Sequence, residues 1–522
     1  MPLPEGEPST PTANIPLNDL EAGTESRHSP NGTGLSESYR PHDSKRSPDN
    51  WLDQLDLLLS KLGVALTPSF LQHWVGGQAP ENPKLHAIAA LDGVRGWACL
   101  LVFNFHFLFT YTWKVAVGWG FAGENFGILH LPIIHLLISG HIMVAIFFVL
   151  SGYVLSYKPL KLIRSRSWDQ VFTSLASSTF RRGLRLYIPS IVGIFLVFLA
   201  VRAGVYNYSH VVINQGQTIQ GTNEQHPPVM KSLRRQFWDW YFTVVNLIDP
   251  WDWALYYNYY NPHLWTIPVE FRSSIVLFVT ILATSRLMSV VRMSLVGGLI
   301  WFCMRWGRWD VVHFLFGMIM AELDLINGTW ERPSTEEKQP SADNTKKYKF
   351  RISDRKWWIS IFVFGLYLGS SPNTGYKWTP FYTWLAKLTP KTYPEPHRFP
   401  QTLGAVLIVF SINRSKDIQK LFVNPLSQYL GKISFAFYIV HGPILHSLGY
   451  SLMPNIWSVV GKETDFQYCL GFFIGWLICL PLSIWAGDVY WRAVDIPSVK
   501  FARWVEDRLV AKAPASATTH VQ

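Results

Sequence analysis

The sequence predicts an all-α fold, a polytopic membrane bundle of about ten transmembrane helices. Of its 522 residues, 49% are hydrophobic and 16% are charged, and its 24 Trp, 22 Tyr and 33 Phe exceed the needs of an ordinary soluble core. Basic residues fall mainly in short loops between long apolar runs, as in membrane proteins. The net charge of +11 therefore reflects topology, and nucleic-acid binding is not expected.

Ten apolar runs predict the membrane-crossing helices, because a helix needs about 20 apolar residues to cross a bilayer. The runs lie near 97–115, 137–156, 186–203, 264–284, 288–304, 309–326, 357–372, 399–413, 433–452 and 468–490. The seventh and eighth runs are the shortest.

Composition divides the chain into four regions. Residues 1–50 are rich in Ser, Pro, Thr, Asn and Gly and lack apolar periodicity, which predicts a disordered cytosolic tail. In residues 51–87 leucines recur at helical spacing, so we expect an amphipathic helix that lies on the membrane or docks against the protein's own surface. Residues 88–490 form the predicted membrane domain, and residues 491–522 form a second amphipathic, cytosolic tail.

The basic loops predict the orientation in the membrane. The loops at 157–185 and 327–356 belong on the cytosolic side by the positive-inside rule. This orientation places both termini in the cytosol and the long connection 204–263 outside. The loop 373–398 is also basic, although the same orientation places it outside. We expect a multi-pass protein of an endomembrane or of the plasma membrane.

The first run carries Arg95 and His106, and ionisable residues in a membrane segment commonly mark a functional site. They are eleven positions apart, so an α-helix places both on one face, with His106 about 16 Å deeper. The arginine suits an anion at the surface, and the histidine suits proton transfer at mid-depth. The alternative is a topological arginine with a histidine that only packs between helices. Asp92 is interpreted as the N-cap of this helix.

Arg182 and Arg185 stand three positions apart at the cytosolic start of the third run, so they share one helix face. Two arginines at this spacing can hold phosphate groups through several charge-assisted hydrogen bonds. The alternative is that both only obey the positive-inside rule, and this is the preferred interpretation of Arg181.

Two further runs carry polar residues at depth. Glu270 lies about two turns into the fourth run, where a carboxylate is costly unless it is paired. It can orient the histidine or a substrate hydroxyl, or form an ion pair with Arg272 or with another helix. Tyr438 and His441 lie one turn apart in the ninth run, as a structural hydrogen-bond pair or as part of a catalytic site.

The connection 204–263 contains the aromatic stretches QFWDWYF and DPWDWALYYNYYNPHLW. A belt at the lipid headgroups is the preferred interpretation. The same aromatic faces could stack on the rings of sugars or of polycyclic acceptors. The four cysteines show no metal-ligand spacing, and no metal is expected.

Five motifs, in order along the chain, resemble those of the acyltransferase 3 family of integral membrane O-acyltransferases. They are LDGVRG with ten residues between its arginine and a histidine, IFFVLSGYVLS at 146–156, RRGLRLYIP at 181–189, WTIPVE at 265–270 and SFAFYIVHGP at 434–443. The chain departs from the family where Phe271 and Arg272 stand in place of the Glu-Gln that often follows the glutamate. The Ser/Pro-rich first region resembles a fungal-type elaboration.

The resemblance implies an enzyme that transfers an acyl group, most often acetyl, from cytosolic acyl-CoA to a hydroxyl group of a glycan, lipid or secondary metabolite. Three residues would hold the phosphates of CoA: Arg95, Arg182 and Arg185. His106 would act as the general base or as an acylated intermediate. Glu270 and His441 would line the acceptor side. Acyl-CoA is then a donor substrate, and no permanently bound cofactor is implied.

Two other classes of function remain open. A proton-coupled transporter would also place histidine and glutamate at mid-membrane, and Pro189, Pro268 and Pro443 would suit its broken helices. The arginine cluster and the lack of an inverted repeat favour the enzyme. A lipid- or glycan-binding scaffold without catalysis is the third possibility, and it predicts no dependence on acyl-CoA.

We predict N-glycosylation at Asn207, because it is the one N-x-Ser/Thr sequon of four that falls on the predicted outer side. Enzymatic removal of N-glycans should shift the wild-type protein on a gel and should not shift Asn207→Gln. Asn413→Gln, in a sequon predicted to be cytosolic, is the matched control and should behave as wild type. A glycan that persists in Asn207→Gln would contradict the predicted orientation.

Overall fold

The computed structural model describes residues 51–76, 85, 88–214, 226–328, 355–391, 393 and 395–510, and the regular elements in these ranges are helical. The predicted tail 1–50, the chain after residue 510 and most of the loop 327–356 lie outside them. The α-helices are α1 (Trp51–Leu66), α2 (Ala89–Phe109), α3 (His141–Arg164), α4 (Trp168–Arg202), α5 (Asn207–Asn214), α6 (Leu233–Leu247), α7 (Thr266–Thr284), α8 (Ser289–Arg305), α9 (Trp309–Asn327), α10 (Arg355–Gly369), α11 (Thr383–Leu388), α12 (Arg398–Arg414), α13 (Lys416–Gln419), α14 (Pro425–Ile444), α15 (Tyr450–Val460), α16 (Asp465–Tyr490) and α17 (Ile496–Leu509). The all-α prediction is confirmed.

The ten predicted apolar runs fall mainly in ten of these helices: α2, α3, α4, α7, α8, α9, α10, α12, α14 and α16. Within the described ranges, four helical segments are long and apolar enough to cross a membrane: His141–Arg164, Trp168–Arg202, Pro262–Thr284 and Asp465–Leu509. The number of ten crossings therefore stays a prediction.

Helix boundaries differ from the apolar runs where capping extends a helix beyond its hydrophobic stretch. α14 begins at Pro425 rather than near 433, because Asn424 accepts a hydrogen bond from the backbone N–H of Ser427 at 2.9 Å. Proline suits this position because its nitrogen carries no hydrogen, and a backbone N–H in the first turn would have no acceptor within the helix.

α4 begins at Trp168 rather than near 186, and its polar first half makes contacts with other parts of the protein. The guanidinium of Arg286, just after α7, lies 4.3 Å from the centre of the Trp168 ring. Arg181 binds Glu506 of α17 at 3.0 Å. These contacts hold a part of α4 whose side chains are mostly exposed or half-buried.

Glycines allow α3 and α9 to pack at close range. A Cβ on Gly317 of α9 would lie 2.4 Å from the Tyr153 nitrogen and from the Val149 oxygen, both in α3. A Cβ on Gly152 of α3 would lie 2.3 Å from the Phe314 oxygen. Small residues at such contacts are typical of membrane helix pairs, where apolar burial adds little driving force.

Ion pairs hold one end of the bundle together. The buried Arg292 of α8 binds Glu322 of α9 at 2.7 Å, and Arg164, at the end of α3, lies 3.8 Å from the same carboxylate. Arg414, at the end of α12, binds Asp324 of α9 at 2.8 Å. These contacts matter because a buried charge that loses its partner is strongly destabilising.

α2 and α14 extend from this end, which we call the arginine end, to the opposite end. Gly93, near the start of α2, lies against the Phe422 carbonyl in the connection that follows α12. α14 follows that connection and runs parallel to α2. The far ends of the two helices carry His106 and His441, and we call this the histidine end.

The segment after α1 is attached to α16, and α17 is attached to α4 by the ion pair of Arg181 and Glu506. The carboxylate of Asp488, in α16, accepts hydrogen bonds from the Ser69 backbone N–H at 3.1 Å and from the Ser69 hydroxyl at 2.5 Å. Leu58 and Leu62 of α1 are exposed, and so is Phe501 of α17. Within the described part of the chain, protein does not cover these predicted amphipathic faces.

We predict that Gly317→Val lowers the free energy of unfolding by about 1–3 kcal/mol, because the new side chain would overpack the contact between α9 and α3. Gly298→Val in α8 is the matched control, since a Cβ there meets nothing within 4 Å and the change in helix propensity is the same. Thermal unfolding in detergent should show a lower midpoint for Gly317→Val alone. Equal midpoints for the two variants would contradict the close packing.

Candidate active site

Three histidines meet at the histidine end. His106 of α2, His263 of the 3₁₀ turn Pro262–Trp265 and His441 of α14 have ring nitrogens within 4.8 Å of one another. Ring centroids are 3.8 Å apart for His106 and His263, 4.9 Å for His263 and His441, and 5.6 Å for His106 and His441. His263 and His441 are only 2% and 1% exposed, and His106 is partly buried. We call them the three-histidine cluster.

Buried asparagines hold the turn that carries His263. The side chain of Asn258 accepts a hydrogen bond from the Asn261 backbone N–H at 2.6 Å and donates to the Asn261 carbonyl at 2.8 Å. The Asn261 amide then donates to the Ile439 carbonyl of α14 at 2.8 Å. These bonds attach a non-helical segment to α14 and so set the position of His263.

Tyr438 orients two members of the cluster. Its hydroxyl donates to the His263 carbonyl, so it accepts the hydrogen bond that the Thr266 hydroxyl makes at 2.7 Å. Its own carbonyl lies 2.7 Å from Nδ1 of His441. A carbonyl can only accept, so the ring proton is on Nδ1, and Nε2 of a neutral His441 is left as the acceptor.

A row of further histidines leads away from the cluster. Ring centroids are 5.6 Å apart for His263 and His446, 5.9 Å for His446 and His226, and 4.7 Å for His226 and His210. Burial, with smaller effects of His446 and His210, lowers the pKa of His226 to about 2, so this ring is neutral at physiological pH. The row ends in α5, whose first residue is Asn207, an exposed side chain.

Arg95 lies on α2 near the arginine end, about 16 Å along the helix axis from His106. It is partly exposed and binds Asp92 at 3.3 Å. The prediction that Asp92 is the N-cap is wrong, because α2 begins at Ala89 after Ile88. Asp92 lies inside the first turn instead, where a negative charge is favoured by the helix dipole.

Arg185 and Arg95 lie on different helices near one carboxyl group. Asp495, in the π-helical turn Trp491–Asp495, is within electrostatic range of Arg185 of α4 and of Arg95 of α2. Two positive charges that are distant in the sequence are therefore near one another at the arginine end. Arg181 binds Glu506 instead, in agreement with a structural role.

Arg182 and Glu270 form an ion pair between α4 and α7. Nη2 of Arg182 lies 2.6 Å from Oε1 of Glu270, and Nε of Arg182 donates to the Ser274 hydroxyl at 3.1 Å. The Ser151 hydroxyl of α3 donates to the same Glu270 oxygen at 2.9 Å. One carboxylate therefore joins three helices.

Glu270 is not a member of the three-histidine cluster: the close group contains only the three histidines, and the Glu270 carboxylate binds Arg182. Of the two ion pairs that the sequence allows, the structure contains the one with another helix. Arg272 lies 3.4 Å from Asp310 of α9 instead.

Aromatic rings and an arginine lie beside the cluster at the histidine end. The Arg398 guanidinium is 4.0 Å from the centre of the Trp309 ring and 6.0 Å from that of Trp265, two residues after His263. The Tyr257 ring is 5.9 Å from Trp265. Part of the predicted aromatic connection thus lies next to the ionisable residues.

Sequence reasoning brings His106 and His441 into one site, as the structure does, but it misses His263. The available signal is its position in NPHLWTIPVE, directly before the glutamate motif. A single histidine in an aromatic loop has no periodicity that would show which way it faces.

The cluster also offers the donor set of a metal site. Among the residues that the structure describes, His106, His263 and His441 form the one group of three potential ligands that are close enough for a single ion. No carboxylate or thiol belongs to this group.

Residues 88–492 match the family model described as an acyltransferase domain, Acyl_transf_3. The chain is 32% identical over 471 residues to O-acetyltransferase PaAT-1 of Phomopsis amygdali, and the match covers 86% of this chain and 89% of that protein. Acyltransferase R4 of a Phoma species is 26% identical over 459 residues (81% and 96%). Acyltransferase clz18 of Cochliobolus lunatus is 25% identical over 454 residues (78% and 93%). No solved structure matches the chain significantly.

The family match spans all five sequence motifs and the site residues from Arg95 to His441. The apolar helices agree with it, because they have the length and composition of membrane-crossing segments. The chain therefore belongs to the acyltransferase 3 family and is an integral membrane acyltransferase.

Proposed function

We propose that the protein is an acyl-CoA-dependent O-acyltransferase that moves an acetyl group from cytosolic acetyl-CoA to a hydroxyl group of its acceptor. The position of His106 carries the proposal: it lies in a cluster of imidazoles, and its own helix leads back to the arginine end. The name of the relative O-acetyltransferase PaAT-1 favours acetyl and an oxygen acceptor. Family membership favours this enzyme over the transporter and the scaffold.

The arginine end would bind the phosphates of CoA. Arg95 and Arg185 approach Asp495 from two helices, and a polyanion that binds there would make several charge-assisted hydrogen bonds. Arg182 would be the third arginine of this site, held in place by Glu270. The pantetheine arm would cover the distance of about 16 Å along α2 and would bring the thioester to His106.

In the proposed reaction His106 takes the proton from the acceptor hydroxyl as the oxygen attacks the thioester carbonyl. The carbon–sulfur bond then breaks, and the CoA thiolate takes the proton from the His106 imidazolium. Acylation of His106 itself, followed by transfer, is the alternative, and it would leave labelled protein after incubation with labelled acetyl-CoA alone.

Glu270 and His441 would have different roles in this reaction. Glu270 would act through Arg182, as a positioning residue, because its carboxylate binds that guanidinium. His441 would line the acceptor side, where its Nε2 can accept a hydrogen bond from the acceptor hydroxyl.

The acceptor would be a glycan, a lipid or a secondary metabolite that enters at the histidine end. The rings of Trp265, Trp309 and Tyr257 support entry of the acceptor at this end, because aromatic faces bind sugar and polycyclic rings. The proposed protein is multi-pass, has both termini in the cytosol and lies in an endomembrane or in the plasma membrane.

We predict that His106→Ala abolishes acetyl transfer, at least about 100-fold, because the reaction loses its general base. His73→Ala is the matched control, since this histidine is exposed and lies outside the site. Release of free CoA by detergent-purified protein measures the turnover. Retained turnover in a folded His106→Ala protein would contradict the role of His106 as the general base.

We predict that Arg95→Ala and Arg185→Ala each raise the KM for acetyl-CoA about tenfold, because a hydrogen bond to a charged group contributes about 1.5 kcal/mol. The KM for an acetyl-pantetheine donor, which lacks the nucleotide phosphates, should not change. Arg181→Ala is the control, because this side chain binds Glu506. A similar rise for both donors would show that the arginines do not bind phosphate.

A further inference from the structure

The three-histidine cluster approaches the geometry of a metal site. Its ring nitrogens lie within 4.8 Å of one another. A tetrahedral ion with metal–nitrogen bonds of about 2.0 Å needs ligand nitrogens about 3.3 Å apart. Side-chain rotations on the order of 1 Å per ring would close the group around one ion.

The donor set selects a class of ion. Imidazole nitrogen suits zinc, copper and nickel, whereas magnesium and calcium require oxygen ligands that the group does not contain. Three histidines with an open fourth position are a known zinc coordination, in which water or a substrate completes the tetrahedron.

A neighbouring hydrogen bond orients the His441 ring as a metal ligand requires, and the backbone of His263 is held in place. Nδ1 of His441 donates to the Tyr438 carbonyl at 2.7 Å, and metal-bound histidines almost always donate their other nitrogen in this way. Tyr438 also holds the backbone of His263, and a Cβ on Gly442 would lie 2.3 Å from Nδ1 of His263. The absence of a side chain at Gly442 thus leaves the room that the His263 ring occupies.

We propose that His106, His263 and His441 bind a divalent ion of the zinc class, and that this ion inhibits acyl transfer reversibly. Binding follows from the geometry and the donor set. Inhibition rests on the proposed function, because a bond from the metal to His106 occupies the lone pair that would accept the proton of the acceptor hydroxyl.

Metal binding is tested on full-length, tag-free protein that has been treated with a chelator. Equilibrium dialysis with Zn²⁺ should find one ion per chain, and His263→Gln should weaken binding at least about tenfold. His446→Gln is the matched control, because its ring is 5.6 Å from that of His263 but lies outside the group of three. Mg²⁺ and Ca²⁺ should not bind.

Binding of Co²⁺ to the wild-type protein provides a second measurement that needs no variant. A tetrahedral Co²⁺ absorption spectrum supports the site, and an octahedral spectrum overturns it. The site is also overturned if the wild-type protein binds no Zn²⁺, or if His446→Gln loses as much affinity as His263→Gln.

Inhibition is tested by acetyl transfer with and without Zn²⁺ on the same preparation. Saturating Zn²⁺ should reduce turnover at least about tenfold, and the chelator should restore it. Activation by Zn²⁺ would overturn both the inhibition and the role of His106 as a general base that acts without a bound metal. His106-dependent transfer without any Zn²⁺ binding would overturn the metal site alone. Zn²⁺ binding to a protein that transfers no acyl group, with or without chelator, would support the site and overturn the proposed function.

Discussion

The hydrogen bonds between the turn 258–266 and α14 are the contacts on which the site depends. Before α7 this segment has no α-helix, and inside an apolar bundle its backbone groups need partners from neighbouring elements. The Tyr438 hydroxyl satisfies the His263 carbonyl, and the Asn261 side chain donates to the Ile439 carbonyl of α14. These two bonds attach the turn to α14 and therefore also determine where the His263 ring lies.

The close packing of α2 and α14 brings the other two imidazoles together. A Cβ on Gly96 would lie 2.5 Å from the Gly431 nitrogen, so the helix backbones approach as closely as glycine allows. Because the helices are parallel, their far ends place His106 and His441 side by side. Larger residues at the glycines would separate the helices and, with them, the two rings.

Several ionisable side chains in the bundle are arranged in partnered groups. Arg182 and Glu270 join α4 to α7, and Arg292 and Glu322 join α8 to α9. Arg95 and Arg185, near the arginine end, are both within electrostatic range of Asp495. Pairing offsets the desolvation of each charge, so the ion pairs also connect the helices.

Part of the candidate site could be predicted from the sequence. The shared face of Arg95 and His106 follows from their spacing within one helix, and the structure keeps them on α2. The partner of Glu270 could not be predicted, because Arg182 lies 88 residues away on another helix. The position of His263 could not be predicted either, because it depends on Tyr438, which is 175 residues away.

The sequence by itself determined the all-α architecture, the positions of the apolar runs and the basic loops, because run length and helical periodicity are local properties. The tertiary structure decided where the helices begin, which carboxylate pairs with which arginine, and which three histidines meet. These features arise from backbone contacts and hydrogen bonds between segments that are far apart in the chain, and no local pattern records them.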